Sequence, residues 1–196
     1  MDITGHQNIL DYFRSAITRR RLGHAYMFMG KSGIGKRLVA QQVTMMLNCE
    51  RGTACGECGS CLQIGKGTHP DVTMVDFGDG ESHKIEVLRE ILPKVFMRKF
   101  SSEYRVLIMD KVDLMTVQAA DAFLKTLEEP PPNVLFFLIT DKPYAVSNTI
   151  RSRTQKIWFA LKAGELLELV GRRCPEADAA ALTALAEGSA GRALDA

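Results

Sequence analysis

Three groups of residues have types and spacings that could do chemistry. The first is Gly30-Lys31-Ser32-Gly33-Ile34-Gly35-Lys36, which fits the phosphate-loop pattern G-x-x-x-x-G-K. Glycines let backbone N–H groups curl around phosphate oxygens, and the N-terminus of a following helix adds partial positive charge. Lys36 has the length and charge to reach the terminal phosphates. The other reading of the segment is a Gly-rich strand-to-helix turn with no ligand. One position departs from the pattern. After the lysine it calls for Ser or Thr, whose hydroxyl binds Mg²⁺, and here Arg37 stands there. A guanidinium offers no lone pair to a cation. Binding of ATP or ADP is therefore open, with a poorly held metal.

The second group is Val106-Leu107-Ile108-Met109-Asp110, a hydrophobic run ending in a carboxylate. Asp110 could hold Mg²⁺ through water, or could simply cap a strand end. The next residue is Lys111, where P-loop ATPases of the AAA+ type usually carry a Glu that orients the attacking water. An ammonium accepts neither a proton nor a hydrogen bond. Asp113, two residues on, is expected to be out of reach. Lacking the hydroxyl and the carboxylate, the site is expected to have little or no ATPase activity.

The third group is Cys49, Cys55, Cys58 and Cys61, spaced C-x5-C-x2-C-x2-C. Crowded cysteines in a cytosolic chain point to metal rather than disulfides. Four thiolates match tetrahedral Zn²⁺, and with no open coordination position the metal would be structural. Gly52, Gly56 and Gly59 supply candidate tight turns. An iron–sulfur cluster is the runner-up, but the ferredoxin run with its later C-P is absent. Cys174 stands apart and reads as a small core or surface residue.

Positioning these groups requires alternating strands and helices. Short apolar runs at Ala25–Met29, Val72–Phe77, Val106–Met109, Val134–Thr140 and Gln155–Phe159 read as strands. Lys36–Asn48, Ile85–Val95 and Met115–Leu127 have helical spacing, the last stopped by Pro130-Pro131-Pro132. Continuous apolar strands between helices predict an α/β fold, a parallel sheet covered on both faces. After Leu161 the composition turns to Ala and Leu in two short helix-like stretches. The expected organisation is a P-loop domain over 1–161, with the cysteine knuckle at 49–61, and a small all-α domain over 162–196. The chain ends amid helical composition with no stop signal, so continuation is expected.

Composition narrows the function class only a little. The chain has 196 residues, 46% hydrophobic and 24% charged, with a net charge of +2. That charge is too small to argue nucleic-acid binding by electrostatics alone. Arg19-Arg20-Arg21 reads as the solvated end of a helix. No run is long and apolar enough for a membrane span, and Met1–Leu10 does not read as a secretory signal. A cytoplasmic location and no membrane partner are the expectation.

The order of motifs carries a resemblance. Leu22-Gly23-His24-Ala25-Tyr26 precedes the phosphate loop and the cysteine knuckle follows its helix. Then come Gly67-Thr68-His69-Pro70-Asp71, Leu124-Lys125-Thr126-Leu127-Glu128-Glu129-Pro130-Pro131 and Ile150-Arg151-Ser152-Arg153-Thr154. Over essentially its whole length the chain resembles the AAA+ subunits of the bacterial DNA polymerase III clamp loader. Within that family Lys36-Arg37, Asp110-Lys111 and His69-Pro70-Asp71 are similar to the delta-prime type. So is Gly188-Ser189-Ala190-Gly191-Arg192. The gamma/tau motor type has an intact G-K-[ST] and an Asp-Glu pair.

The resemblance implies a RecA-like AAA+ module, a helical lid and, beyond Ala196, a collar domain. It implies gamma/tau and delta subunits as partners, and through the complex the sliding clamp and primed DNA. Arg153 would be an arginine finger presented to a neighbouring subunit's ATP, with Thr154 where the family has Cys. Thr140 would be the sensor at the end of its strand. The nucleotide contacts implied are Gly30, Ser32, Gly33, Gly35, Lys36, Asp110 and Thr140. Two other readings remain: a gamma/tau-like motor ATPase, and a zinc-knuckle module binding nucleic acid, against which the scarcity of aromatics around Cys49–Cys61 weighs.

Overall fold

The computed structural model describes residues 3, 5–78, 84–161 and 164–165. The elements run α1 (Gln7–Thr18), β1 (Ala25–Met29), α2 (Lys36–Asn48), α3 (Gly59–Lys66), β2 (Val72–Asp76) and α4 (Lys84–Val95). They continue with β3 (Arg105–Asp110), a 3₁₀ turn (Val112–Leu114), α5 (Val117–Glu128), β4 (Val134–Thr140), α6 (Asn148–Ser152) and β5 (Gln155–Trp158). The proposed helical domain over 162–196, together with Cys174 and Gly188–Arg192, falls almost wholly outside the described residues.

The five strands form one parallel sheet in the order β2-β3-β4-β1-β5. Residues of β1 and β4 alternate between two cores. Tyr26, Phe28, Leu135, Phe137 and Ile139 pack with Phe13 of α1 and with Val39 and Val43 of α2. Ala25, Met27, Met29, Phe136 and Leu138 pack with Phe123 and Leu127 of α5 and with Leu88 of α4. Both strands are buried along their whole length, and a strand covered on both faces must be apolar at every position. That is why they read as unbroken hydrophobic runs.

Sequence spacing missed α1, α3 and α6. Helix α1 buries Ile9, Leu10, Phe13 and Ala16, a one-sided helical spacing diluted by polar neighbours. Its C-terminal Arg19, Arg20 and Arg21 are exposed, as expected. Helix α5 starts at Val117 rather than Met115 because Thr116 is its N-cap, its Oγ1 accepting the Ala119 N–H at 3.2 Å. Strand β2 ends at Asp76, one residue short of Phe77.

The Gly67–Asp71 segment is a structural fastener. The buried Asp71 carboxylate accepts N–H groups of Phe100, Ser101 and Ser102 at 2.9–3.1 Å and the Arg105 guanidinium at 2.9 Å. Arg105 also donates to the carbonyls of Lys94, Met97 and Arg98. His69 Nδ1 accepts the Asp71 N–H at 3.1 Å, so its Nε2 carries the proton towards the Ser102 hydroxyl at 3.2 Å. Together these pin the loop between α4 and β3. Burial raises the Asp71 pKa, but the N–H groups of Ser101 and Phe100 and the Arg105 guanidinium outweigh it and hold it down at about 2.

Candidate functional site

The C-terminal ends of the strands form one edge, and the chemistry gathers there. Parallel pairing sets Met29 beside Thr140, and Asp76 beside Asp110. The phosphate loop leaves β1 at Gly30 and enters α2 at Lys36. Gly33 (φ 72°) and Gly35 (φ 98°) hold left-handed conformations that a side chain would disfavour. A cleft of about 420 Å³ opens above this edge. Ser32, Gly33, Gly35, Lys36, Arg37, Asp110, Lys111, Asp113, Thr140, Asp141 and Lys142 are among its walls.

Six of the seven expected nucleotide contacts therefore meet in one place. Gly30 is the exception. Its φ of 148° turns it towards the residue that follows β5, where a Cβ would sit 2.5 Å from the Phe159 carbonyl oxygen. Its own carbonyl instead holds Lys36, whose Nζ donates to Gly30 O and to Lys31 O, both at 2.7 Å. Lys36 is buried, and burial lowers its pKa against the opposing pull of Asp141, Asp110 and Asp113. Those two carbonyls hold the ammonium in place.

The acidic side differs from expectation at one residue. Asp113 is within reach of the cleft: the 3₁₀ turn swings it round so that Thr140 Oγ1 donates to its Oδ1 at 2.6 Å. Thr140 thus joins the end of β4 to the turn after β3, and its hydroxyl also accepts the Lys142 N–H at 2.9 Å. Lys111 takes a left-handed backbone (φ 54°) and points its Nζ at Asp76 Oδ2, 3.1 Å away. Asp110 accepts the Lys111 N–H at 2.9 Å, and burial raises its pKa.

Sequence reasoning also passed over His6. It is buried just ahead of α1, and its Nε2 donates to the Ile34 carbonyl of the phosphate loop at 2.8 Å. Its ring meets Phe159 edge-on with centroids 4.8 Å apart. Burial lowers its pKa. No sequence pattern marks it, because the contact joins residues 28 apart.

The cysteine knuckle lies at the far end of α2. Sγ atoms of Cys49, Cys55, Cys58 and Cys61 all lie within 4.8 Å of one another, with Cys49 to Cys55 at 3.6 Å and Cys49 to Cys58 at 3.9 Å. Four thiolates around one tetrahedral zinc, at about 2.3 Å each, would stand about 3.8 Å apart, so the donor set fits a metal ion. N–H groups of Arg51 and Cys55 point at Cys49 Sγ, that of Cys58 at Cys55 Sγ and that of Cys61 at Cys58 Sγ, at 3.4–3.5 Å. Burial opposes ionisation of Cys49, but the N–H groups of Cys55, Thr53 and Arg51 hold its thiol down at about 5. Gly52 and Gly56 make the turns in left-handed conformation. Gly59 does not: it is the first residue of α3, with Cys58 as N-cap.

Arg153 is the C-cap of α6 and is absent from the walls of the cleft. Its guanidinium donates to the Thr149 carbonyl at 3.0 Å and to Glu128 Oε1 at 2.6 Å, and it is partly exposed.

A parallel sheet with β4 inserted between the phosphate-loop strand and the acidic strand, and the loop wrapped over its edge, defines an AAA+ P-loop module. The likeness to solved structures agrees. The gamma subunit-related DNA polymerase III protein of Thermotoga maritima superposes with a TM-score of 0.68 at 22% identity, covering 95% of this chain and 56% of that one. The Thermotoga maritima RuvB branch-migration motor gives 0.64 at 16%, covering 98% and 60%. The chain belongs to the family described as DNA polymerase III, delta subunit, which matches residues 5–162. It is similar to subunit tau of Bacillus subtilis, 34% identical over 161 residues, or 81% of this chain and 28% of that protein. It is also similar to subunit tau of Escherichia coli, 34% identical over 165 residues, or 83% and 25%. The chain spans about a quarter of the length of these curated relatives. Among the described residues no helix is long and apolar enough to cross a membrane.

Proposed function

We propose that this chain is the delta-prime-type subunit of the DNA polymerase III clamp loader. It acts as a scaffold and arginine-finger donor in the ATP-dependent loading of the sliding clamp onto primed DNA. Its partners are the gamma/tau and delta subunits, and it works in the cytoplasm. Its own cleft holds ATP or ADP with weak or absent turnover. The cysteine knuckle carries structural Zn²⁺, and residues 162–196 form the helical lid.

One observation carries this reading. The phosphate loop is intact in shape, yet Arg37 and Lys111 line the cleft where a hydroxyl and a water-orienting carboxylate are needed. Arg153, away from this cleft and near the surface, suits action in trans at a subunit contact. The test is ATP turnover by the reconstituted loader carrying Arg153→Ala. Unchanged turnover at the adjacent site would remove the finger role.

A second reading is a motor subunit of the gamma/tau type. The 34% identity to subunit tau of two bacteria favours it. Steady-state hydrolysis by the full-length chain discriminates. Turnover that disappears with Lys36→Ala would establish the motor and exclude the non-motor reading.

A further inference from the structure

P-loop nucleotide sites ordinarily use Mg²⁺, held by the hydroxyl after the lysine and by an acidic strand end. The donor set of this cleft does not fit that ion. The hydroxyl position is Arg37. Three of the four nearby carboxylates already have a protein partner. Asp76 is bound by Lys111 Nζ at 3.1 Å and by the Gly78 N–H at 2.7 Å. Asp110 accepts the Lys111 N–H at 2.9 Å, and Asp113 accepts the Thr140 hydroxyl at 2.6 Å. Asp141 is exposed, one residue past the end of β4. Four cationic side chains (Lys36, Arg37, Lys111, Lys142) face three carboxylates (Asp110, Asp113, Asp141) around the cleft.

A hard divalent cation needs several oxygen donors and a site of negative charge. Here the ammonium of Lys111 is paired with Asp76, the strand neighbour of Asp110, and the exposed Arg37 stands in the cleft wall. Phosphate oxygens, by contrast, are well served. The glycine loop, Lys36 and a guanidinium that can donate two parallel hydrogen bonds all favour an anion.

We propose that this cleft binds a nucleoside di- or triphosphate in its metal-free form, the guanidinium of Arg37 meeting the phosphate oxygens where a divalent cation would ordinarily sit. The inference rests on the nucleotide-binding reading given above. It makes the subunit's occupancy independent of Mg²⁺, while the catalytic sites of an ATP-driven partner remain dependent on it.

The experiment is calorimetric titration of the full chain, zinc-loaded, with ADP and with ATP, in buffer with Mg²⁺ and in buffer stripped of it. The two Kd values should agree within about twofold for the natural chain. Arg37→Ala should weaken Mg²⁺-free binding about tenfold, the loss of one charge-assisted partner. Arg37→Thr with Lys111→Glu should create a Mg²⁺ requirement of about tenfold or more in Kd. If that double variant fails to fold, Arg37→Thr alone, read by the same pair of titrations, should move in the same direction. An affinity of the natural chain that falls about tenfold or more without Mg²⁺ would overturn the inference while leaving the nucleotide site standing. Absence of binding in both buffers would overturn the nucleotide site itself, and this inference with it.

Discussion

Arg153 at the end of α6 and Glu128 at the end of α5 are joined by a 2.6 Å ion pair. The side chains stay 37% and 49% exposed, so a competing anion can reach the guanidinium. A pair this exposed contributes about 1 kcal/mol at most. The guanidinium is therefore held in a defined place on its own chain at little cost to its release.

Removing the guanidinium should matter only in the complex. Arg153→Ala is expected to lower ATP turnover at the neighbouring site by about a thousandfold, the lower end for arginine fingers. Thermal unfolding of the isolated chain should move by no more than about 1 kcal/mol. Glu128→Gln should leave turnover within about tenfold of the natural level, since the guanidinium is retained. Rapid-quench ATPase assays on the reconstituted loader, with calorimetry on the chain alone, measure both effects.

The cysteine knuckle makes a prediction about metal content. The purified chain should hold one zinc ion per molecule by mass spectrometry under native conditions. Cys58→Ser should lose it, and so should a strong chelator. Because the four sulfurs tie the end of α2 to α3, loss of metal should lower the melting temperature by several degrees, while the sheet keeps its far-ultraviolet signal.

Asp71 makes the chain sensitive to acid. Its folded-state pKa of about 2 lies below the ordinary carboxylate value of 3.8. A depressed pKa gives stability that is present above the unfolded value and is lost as pH falls through the folded one. The window is thus pH 4 down to pH 2, and the amount is about 2 kcal/mol. Asp71→Asn should cost about 3–5 kcal/mol near neutral pH, because it leaves Arg105 buried without its counter-charge. It should also flatten the stability profile in that window. Urea unfolding across the pH range reads both.

Gly30 tests the backbone of the phosphate loop. Gly30→Ala must fit a Cβ 2.5 Å from the Phe159 carbonyl oxygen at a φ of 148°. It should destabilise the domain by about 1–3 kcal/mol or more. A melting temperature equal to that of the natural chain would show that the backbone after β5 yields there without cost.

Much of the frame was legible in the residues themselves. Strands β1, β3 and β4 declared themselves as unbroken apolar runs because a strand buried on both faces has no polar position to offer. The phosphate loop and the four cysteines were equally plain, since glycine backbones and thiolate spacings are local properties that a short segment specifies alone. Helices α1, α3 and α6 were not, being short or mixed with polar residues. The roles of Asp113, Asp71 and His6 were not legible either.

What the sequence by itself determined, then, was the strands and the longer helices, the phosphate cradle and the missing hydroxyl and carboxylate at Arg37 and Lys111. What only the tertiary structure decided was which groups meet. The insertion of β4 between β1 and β3 brings Thr140 to Asp113, 27 residues apart, and parallel pairing sets Asp76 beside Asp110 so that Lys111 can close on it. The reason is physical. Periodicity and spacing report contacts within a turn or a strand, whereas charge pairing at the edge of a sheet depends on strand order and register, which are fixed only when the two cores pack.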